Sequence, residues 1–102
     1  MTIIKKLCEM ISEEIEDADK YAECALHHKE DDRSLAETFW KLSTEELQHA
    51  EMLHDHVVRM IKEYKSEHGE PPAAMQAVYD YVHEKEIDHV VEVKTKLTLY
   101  KG

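Results

Sequence analysis

The stretch STEELQHAEMLH, residues 43–54, decides how this chain folds. It lies in a segment with helical periodicity, where one apolar face should continue from Leu42 to Leu53. Glu46 and His49 stand on that face instead. Because a buried carboxylate is costly without a partner, these two residues require other polar groups or a bound cation beside them.

Apolar periodicity on both sides of this stretch predicts three helices, over about residues 2–29, 33–67 and 72–100. The charged segment KEDDRS (29–34) and the segment HGEPP (68–72) separate them. Both connections are short, so consecutive helices should pack antiparallel. We expect an all-α fold in one domain, residues 1–102, either as a three-helix bundle or paired with a second chain in a larger one.

Composition limits the function classes. The chain has 23 acidic against 13 basic residues, a formal charge of -10, which disfavours nucleic acid and anionic membrane surfaces as partners. No apolar run approaches the ~18 residues that a membrane span needs, and the acidic N-terminal segment does not resemble a secretory signal. A cytoplasmic protein is therefore expected.

Each predicted helix has one polar interruption near its middle: Glu14 in the first, Glu46 and His49 in the second, and Glu86 and His89 in the third. Counted from the first turn, Glu14 and Glu46 differ in height by roughly 3 Å. Counted from the second turn, Glu86 and His89 are offset by ~7.5 Å from Glu46 and His49. A Glu-x-x-His pair directs both side chains to one point, so these five residues are predicted metal ligands. Carboxylate-rich sites with one His per ion suit iron or manganese.

These residues resemble those of the ferritin-like superfamily, the di-iron carboxylate proteins that include ferritins, bacterioferritins and rubrerythrins. EEIEDADKY (13–21) and EELQHAEM (45–52) are most similar to encapsulated ferritins, which build the di-iron centre between two subunits. Glu14, with Tyr21 seven residues later, matches the first-helix pattern, and Glu46 and His49 match the second. The resemblance implies a ferritin-like hairpin that completes a four-helix bundle by dimerisation, with Glu14, Glu46 and His49 as catalytic residues.

The third helix leaves an alternative open. SEHGEPP (66–72) permits only a tight reversal, whereas the four-helix members use a long crossover at this point. If Glu86 and His89 also bind metal, the site would form within one chain, with one carboxylate missing.

The implied function is oxidation of Fe(II) by O2 or peroxide at a di-iron centre, in iron storage or detoxification, with manganese as the other candidate metal. One alternative is a rubrerythrin-like peroxide reductase with an external electron donor, and another is a non-catalytic helical scaffold. The expected partner is a second copy of the chain, as a homodimer or larger assembly. The ending KLTLYKG (96–102) is similar to tags that direct cargo into encapsulin shells, which makes such a shell a further candidate partner.

Overall fold

A computed structural model describes residues 2–102, and within this range the chain forms three α-helices and no strand. Helix α1 spans Thr2–His28, α2 spans Arg33–His68 and α3 spans Ala73–Lys101. The predicted all-α fold is confirmed, and the helix bounds predicted from sequence agree to within one residue. Met1, the first residue of the predicted domain, lies outside the described residues.

The two turns are formed by the residues that the sequence marked. Asp32 caps α2, since its side chain accepts a hydrogen bond from the backbone N–H of Leu35 at 3.1 Å. Gly69 ends α2 with a positive φ of 78°, and its N–H donates to the carbonyl of Lys65. Pro72 directly precedes α3. Each turn reverses the chain within a few residues, which makes consecutive helices antiparallel.

Helices α1 and α2 approach each other through small side chains. The fully buried hydroxyl of Ser43 donates a hydrogen bond of 2.7 Å to the backbone carbonyl of Ala18, a contact that joins the two helices directly. Small residues form the C-terminal half of the buried row on α1 (Ala18, Ala22 and Ala25, after Ile4, Ile11 and Ile15) and most of the buried row on α2 (Ala36, Ser43 and Ala50). This row, the α1–α2 seam, forms the centre of the structure.

The buried row on α2 is not the one that periodicity predicted. Leu42, Glu46, His49 and Leu53 border the seam, whereas the buried residues of α2 are Ala36, Ser43, Ala50 and Val57. Because α1 presents alanines at the contact, the helices pack through small residues and the longer side chains extend from its edges. Glu46 and His49 therefore lie at the margin of the core, not within it.

Helix α3 packs through its C-terminal half. Val93, Leu97 and Tyr100 are buried, and the Tyr100 hydroxyl donates to Glu37 at 2.9 Å. Periodicity predicts one apolar stripe along the whole of α3, formed by Met75, Val78, Tyr79, Val82, Val90, Val93 and Leu97. This prediction is wrong in the first turns of the helix, where Met75 and Val78 are exposed. Helix α2 has 36 residues and α1 only 27, so the start of α3 extends past the N-terminus of α1.

Helices α2 and α3 make few contacts with each other, and an open groove of about 600 Å³ lies between them. Ile11 and Ile15 of α1 contribute to the lining of this α2–α3 groove. None of the helices within residues 2–102 is both long enough and apolar enough to cross a membrane.

The α1–α2 seam can be tested at Ser43. We expect Ser43→Leu to lower the free energy of unfolding by about 3 kcal/mol, because an added isobutyl group forces the helices apart. Ser43→Ala should lower the free energy of unfolding by about 1 kcal/mol, because one hydrogen bond is lost. The control is Ser66→Leu at an exposed position of the same helix, expected within about 0.5 kcal/mol of the parent. Urea denaturation followed by circular dichroism measures the stability of the three variants. Equal effects of Ser43→Leu and Ser66→Leu would contradict the close packing at the α1–α2 seam.

Candidate metal centre

Glu14, Glu46 and His49 converge across α1 and α2. Nδ1 of His49 lies 3.6 Å from Oε2 of Glu14 and 3.7 Å from Oε1 of Glu46. One donor atom from each of the three residues lies within 4.8 Å of the other two. Two carboxylates and an imidazole at these separations can bind one cation together. The structure thus places Glu14 at the height of Glu46, as the chain arithmetic predicted.

The electrostatics of this cluster favour a positive partner. The pKa of Glu46 is raised to about 7, chiefly by a hydrogen bond to Glu14 and further by burial and by the negative charge of Glu14. Oε2 of Glu14 is buried and accepts no hydrogen bond. A shared proton or a bound cation would satisfy this oxygen and relieve the repulsion between the carboxylates. The donor set therefore fits a metal ion on its own chemistry.

One side of the cluster is open. The side chain of His49 is 52% exposed, against 28% for Glu14 and 20% for Glu46. Apolar side chains on the same faces of the two hairpin helices are also exposed, among them Met10 one turn before Glu14 and Leu35 two heptads before His49. Three donors from one chain leave vacant coordination positions on this open side.

Glu86 and His89 do not join this cluster. Oε1 of Glu86 accepts a hydrogen bond of 3.3 Å from the hydroxyl of Ser12, and Nε2 of His89 lies 3.0 Å from Oδ2 of Asp19. Ser12 and Asp19 share one face of α1, because they are seven residues apart. Glu14 lies about 200° around the helix from Ser12. Since α3 packs on the Ser12 face, the site within one chain that would have used all five predicted ligands is not formed.

His89 belongs instead to a second acidic group, with Asp19 and Glu92. Lys96 already supplies its positive charge: Nζ lies 2.5 Å from Oδ1 of Asp19 and 2.7 Å from Oε1 of Glu23. Burial alone would raise the pKa of Asp19, but hydrogen bonds from Lys96 and His89 hold it below its ordinary value. We interpret this group as an ion-pair network that fastens α3 to α1.

Glu86 has a different environment from the other predicted ligands. Burial raises its pKa, and the hydrogen bond from Ser12 offsets this only in part. Periodicity placed Glu86 correctly on the inward face of α3. It could not show which side of α1 that face would meet.

Comparison with known proteins identifies the family of the chain. The family model described as rubrerythrin matches residues 5–98, which covers most of each helix and contains the three clustered residues. The chain belongs to the rubrerythrin family. No curated protein and no solved structure matches the chain. Members of this family carry a ferritin-like helical domain that typically binds iron, so the resemblance predicted from the two hairpin segments is confirmed at the level of the family.

Several polar residues on α3 or beside it could not be identified from the sequence. Asp19, Glu23 and Lys96 form the network described above, although Lys96 is more than seventy residues from the other two in sequence. His54 and His83, which were not among the predicted ligands, have ring centroids 5.0 Å apart across α2 and α3. No spacing rule connects residues on different helices whose relative rotation is unknown. The available signals were two pairs at a spacing of three residues, Glu51 with His54 and His83 with Glu86.

The raised pKa of Glu46 predicts a pH dependence of stability without metal. A folded-state pKa above the ordinary 4.5 means that the folded chain binds this proton more tightly than the unfolded chain. The contribution of this proton to stability is fully present at pH values below the ordinary pKa of 4.5, and it is lost as the pH rises through about 7. We expect the free energy of unfolding of the metal-free chain to fall over this interval, and Glu46→Gln to remove that component. Urea denaturation at a series of pH values tests this; an unchanged profile in Glu46→Gln would assign the dependence to another group.

Proposed function

We propose that this rubrerythrin-family chain is a ferritin-like di-iron protein that oxidises Fe(II) to Fe(III), in iron storage or detoxification. The single observation that carries the proposal is the convergence of Glu14, Glu46 and His49 from two helices, with a buried oxygen of Glu14 that has no hydrogen-bond partner. Family membership supports iron as the metal, and manganese is the second candidate by ligand chemistry.

The reaction needs iron ions in pairs. Two Fe(II) ions each give up one electron, and O2 accepts both electrons with two protons to become H2O2. Where peroxide is the oxidant, the same two electrons and two protons yield water. Hard carboxylate oxygens favour Fe(III) over Fe(II), because the higher charge gains more from anionic ligands. This preference is what the protein contributes to the driving force.

The three residues would have separate roles. Glu46 adjoins both Glu14 and His49 and, as the family resemblance implies, would bridge two ions, whereas Glu14 and His49 would each bind one. When a cation displaces the proton held by Glu46, that proton is released. Iron binding should therefore strengthen as pH rises towards about 7.

A second copy of the chain would complete the site. Ferritin-like di-iron centres use four carboxylates and two histidines, which is twice the set that one chain provides here. The exposed side of His49 and the apolar residues near it support an interface on this face. We propose a homodimer with one iron pair at its two-fold axis, in which two hairpins form the four-helix bundle.

Loss of a ligand should abolish the reaction. We expect Glu46→Ala to lower the rate of Fe(II) oxidation at least about tenfold, because one anionic ligand to both ions is removed. Glu45→Ala, an exposed neighbour on the same helix, is the matched control and should keep the parent rate. Formation of Fe(III) followed by absorbance under air measures both variants. Unchanged kinetics of Fe(II) oxidation in Glu46→Ala would contradict the proposed function.

Assembly should depend on the same residues. Light scattering on the metal-free chain and on the chain loaded with Fe(II) under argon should show a larger species on loading, with one iron per chain. His49→Ala should stay at the metal-free size, while His56→Ala, an exposed histidine seven residues further along α2, should behave as the parent. A monomeric chain that binds two irons would contradict the shared site.

The same preparations separate the alternatives. A peroxide reductase would consume H2O2 over many turnovers when an external reductant is supplied, since the sequence has only Cys8 and Cys24 and no Cys-x-x-Cys pair. A scaffold would contain almost no metal under iron-replete conditions. Cytoplasmic location and packaging in an encapsulin shell stay predictions. Leu97 and Tyr100 of the tag-like ending are buried against the chain's own core, which leaves less of that segment free for a shell.

A further inference from the structure

The α2–α3 groove contains a second set of metal-binding side chains, apart from the cluster described above. Glu51 and His54 of α2 and His83 and Glu86 of α3 all line this groove. Much of the remaining lining is aliphatic, with Ile87 and Val90 among it. Four potential donor groups along one largely apolar groove are unusual, because polar side chains are normally drawn to solvent.

The two histidines already lie at the separation that a shared ion requires. The ring centroids of His54 and His83 are 5.0 Å apart, with an angle of 15° between the ring planes. Two imidazoles on one tetrahedral ion, each bound through nitrogen at ~2.0–2.1 Å, have centroids about 5 Å apart. Nε2 of His54 is buried and has no hydrogen-bond partner, a state that costs about 1–3 kcal/mol. An ion at this position would give that nitrogen a partner.

Helical spacing places each carboxylate on the same helix face as its histidine. Glu51 and His54 are three residues apart, and so are His83 and Glu86, so each pair shares one face of its helix. The Glu51–His54 pair repeats the spacing of Glu46 and His49 five residues further along, which turns it about 140° around α2. The first pair therefore faces the proposed iron site, and the second faces the groove.

We propose that His54, His83 and Glu86 bind one Zn(II) ion in the α2–α3 groove, with Glu51 at its solvent side. Two imidazoles with carboxylate oxygens suit Zn(II). Glu86 reaches the ion by giving up its 3.3 Å hydrogen bond from Ser12. The bound ion joins α2 to α3, two helices that otherwise make few contacts with each other.

Zinc binding by the full chain tests this site separately from the iron site. In a Glu46→Ala/His49→Ala background, equilibrium dialysis against Zn(II) should still find one ion per chain. Adding His54→Phe or His83→Phe should reduce this to none, because phenylalanine keeps the ring and removes the nitrogen donors. Adding His56→Ala, an exposed histidine on α2, should leave one ion bound.

Thermal unfolding distinguishes a metal ligand from a structural residue. Zn(II) should raise Tm in the background protein, since a ligand bound only by the folded state stabilises it. His54→Phe should abolish this rise without lowering the metal-free Tm, because it removes a buried nitrogen that has no partner. The proposal is overturned if the background protein binds no zinc, or if the phenylalanine variants bind it as the background protein does. Neither result bears on iron oxidation, which depends on the other face of α2.

Discussion

The close approach of α1 and α2 through alanine and serine is the constraint on which the site depends. With side chains this small at the seam, the hydroxyl of Ser43 reaches the backbone carbonyl of Ala18 directly. Glutamates that border such a seam are brought into each other's reach, and this is the position of Glu14 and Glu46. Larger seam residues would separate the two carboxylates and remove the reason for the raised pKa of Glu46.

Much of this arrangement could be predicted from sequence, because it depends on local signals. Asp32, Gly69 and the two prolines set the turns, and the turns set the height of each residue along its neighbour. That was sufficient to place Glu14 beside Glu46. Helix rotation was harder to predict, because a stripe of leucines and a row of alanines on α2 are both compatible with a buried face.

The third helix shows where sequence reasoning failed. Glu86 and His89 have the spacing of a ligand pair, yet α3 packs on the Ser12 face of α1, away from Glu14. The spacing rule for Glu-x-x-His concerns one helix and carries no information about which helix lies opposite. In the structure, His89 lies against Asp19 in a network that also contains Lys96, which supplies the positive charge. The position of His89 therefore has a structural explanation that needs no metal.

The chain thus presents two different faces. One face carries the carboxylate and histidine cluster, with exposed His49 and nearby apolar side chains. The other carries the α2–α3 groove, in which His54 and His83 lie side by side. Helix α3 creates this division, because it packs on the Ser12 face of α1, away from Glu14.

Anomalous diffraction at the iron edge, from crystals loaded with Fe(II), tests the central claim most directly. The account predicts a pair of iron peaks about 3.5–4 Å apart between two copies of the chain, bound by Glu14, Glu46 and His49 of each copy. Iron bound only by residues of a single chain, or no iron within reach of Glu14 and Glu46, would contradict it.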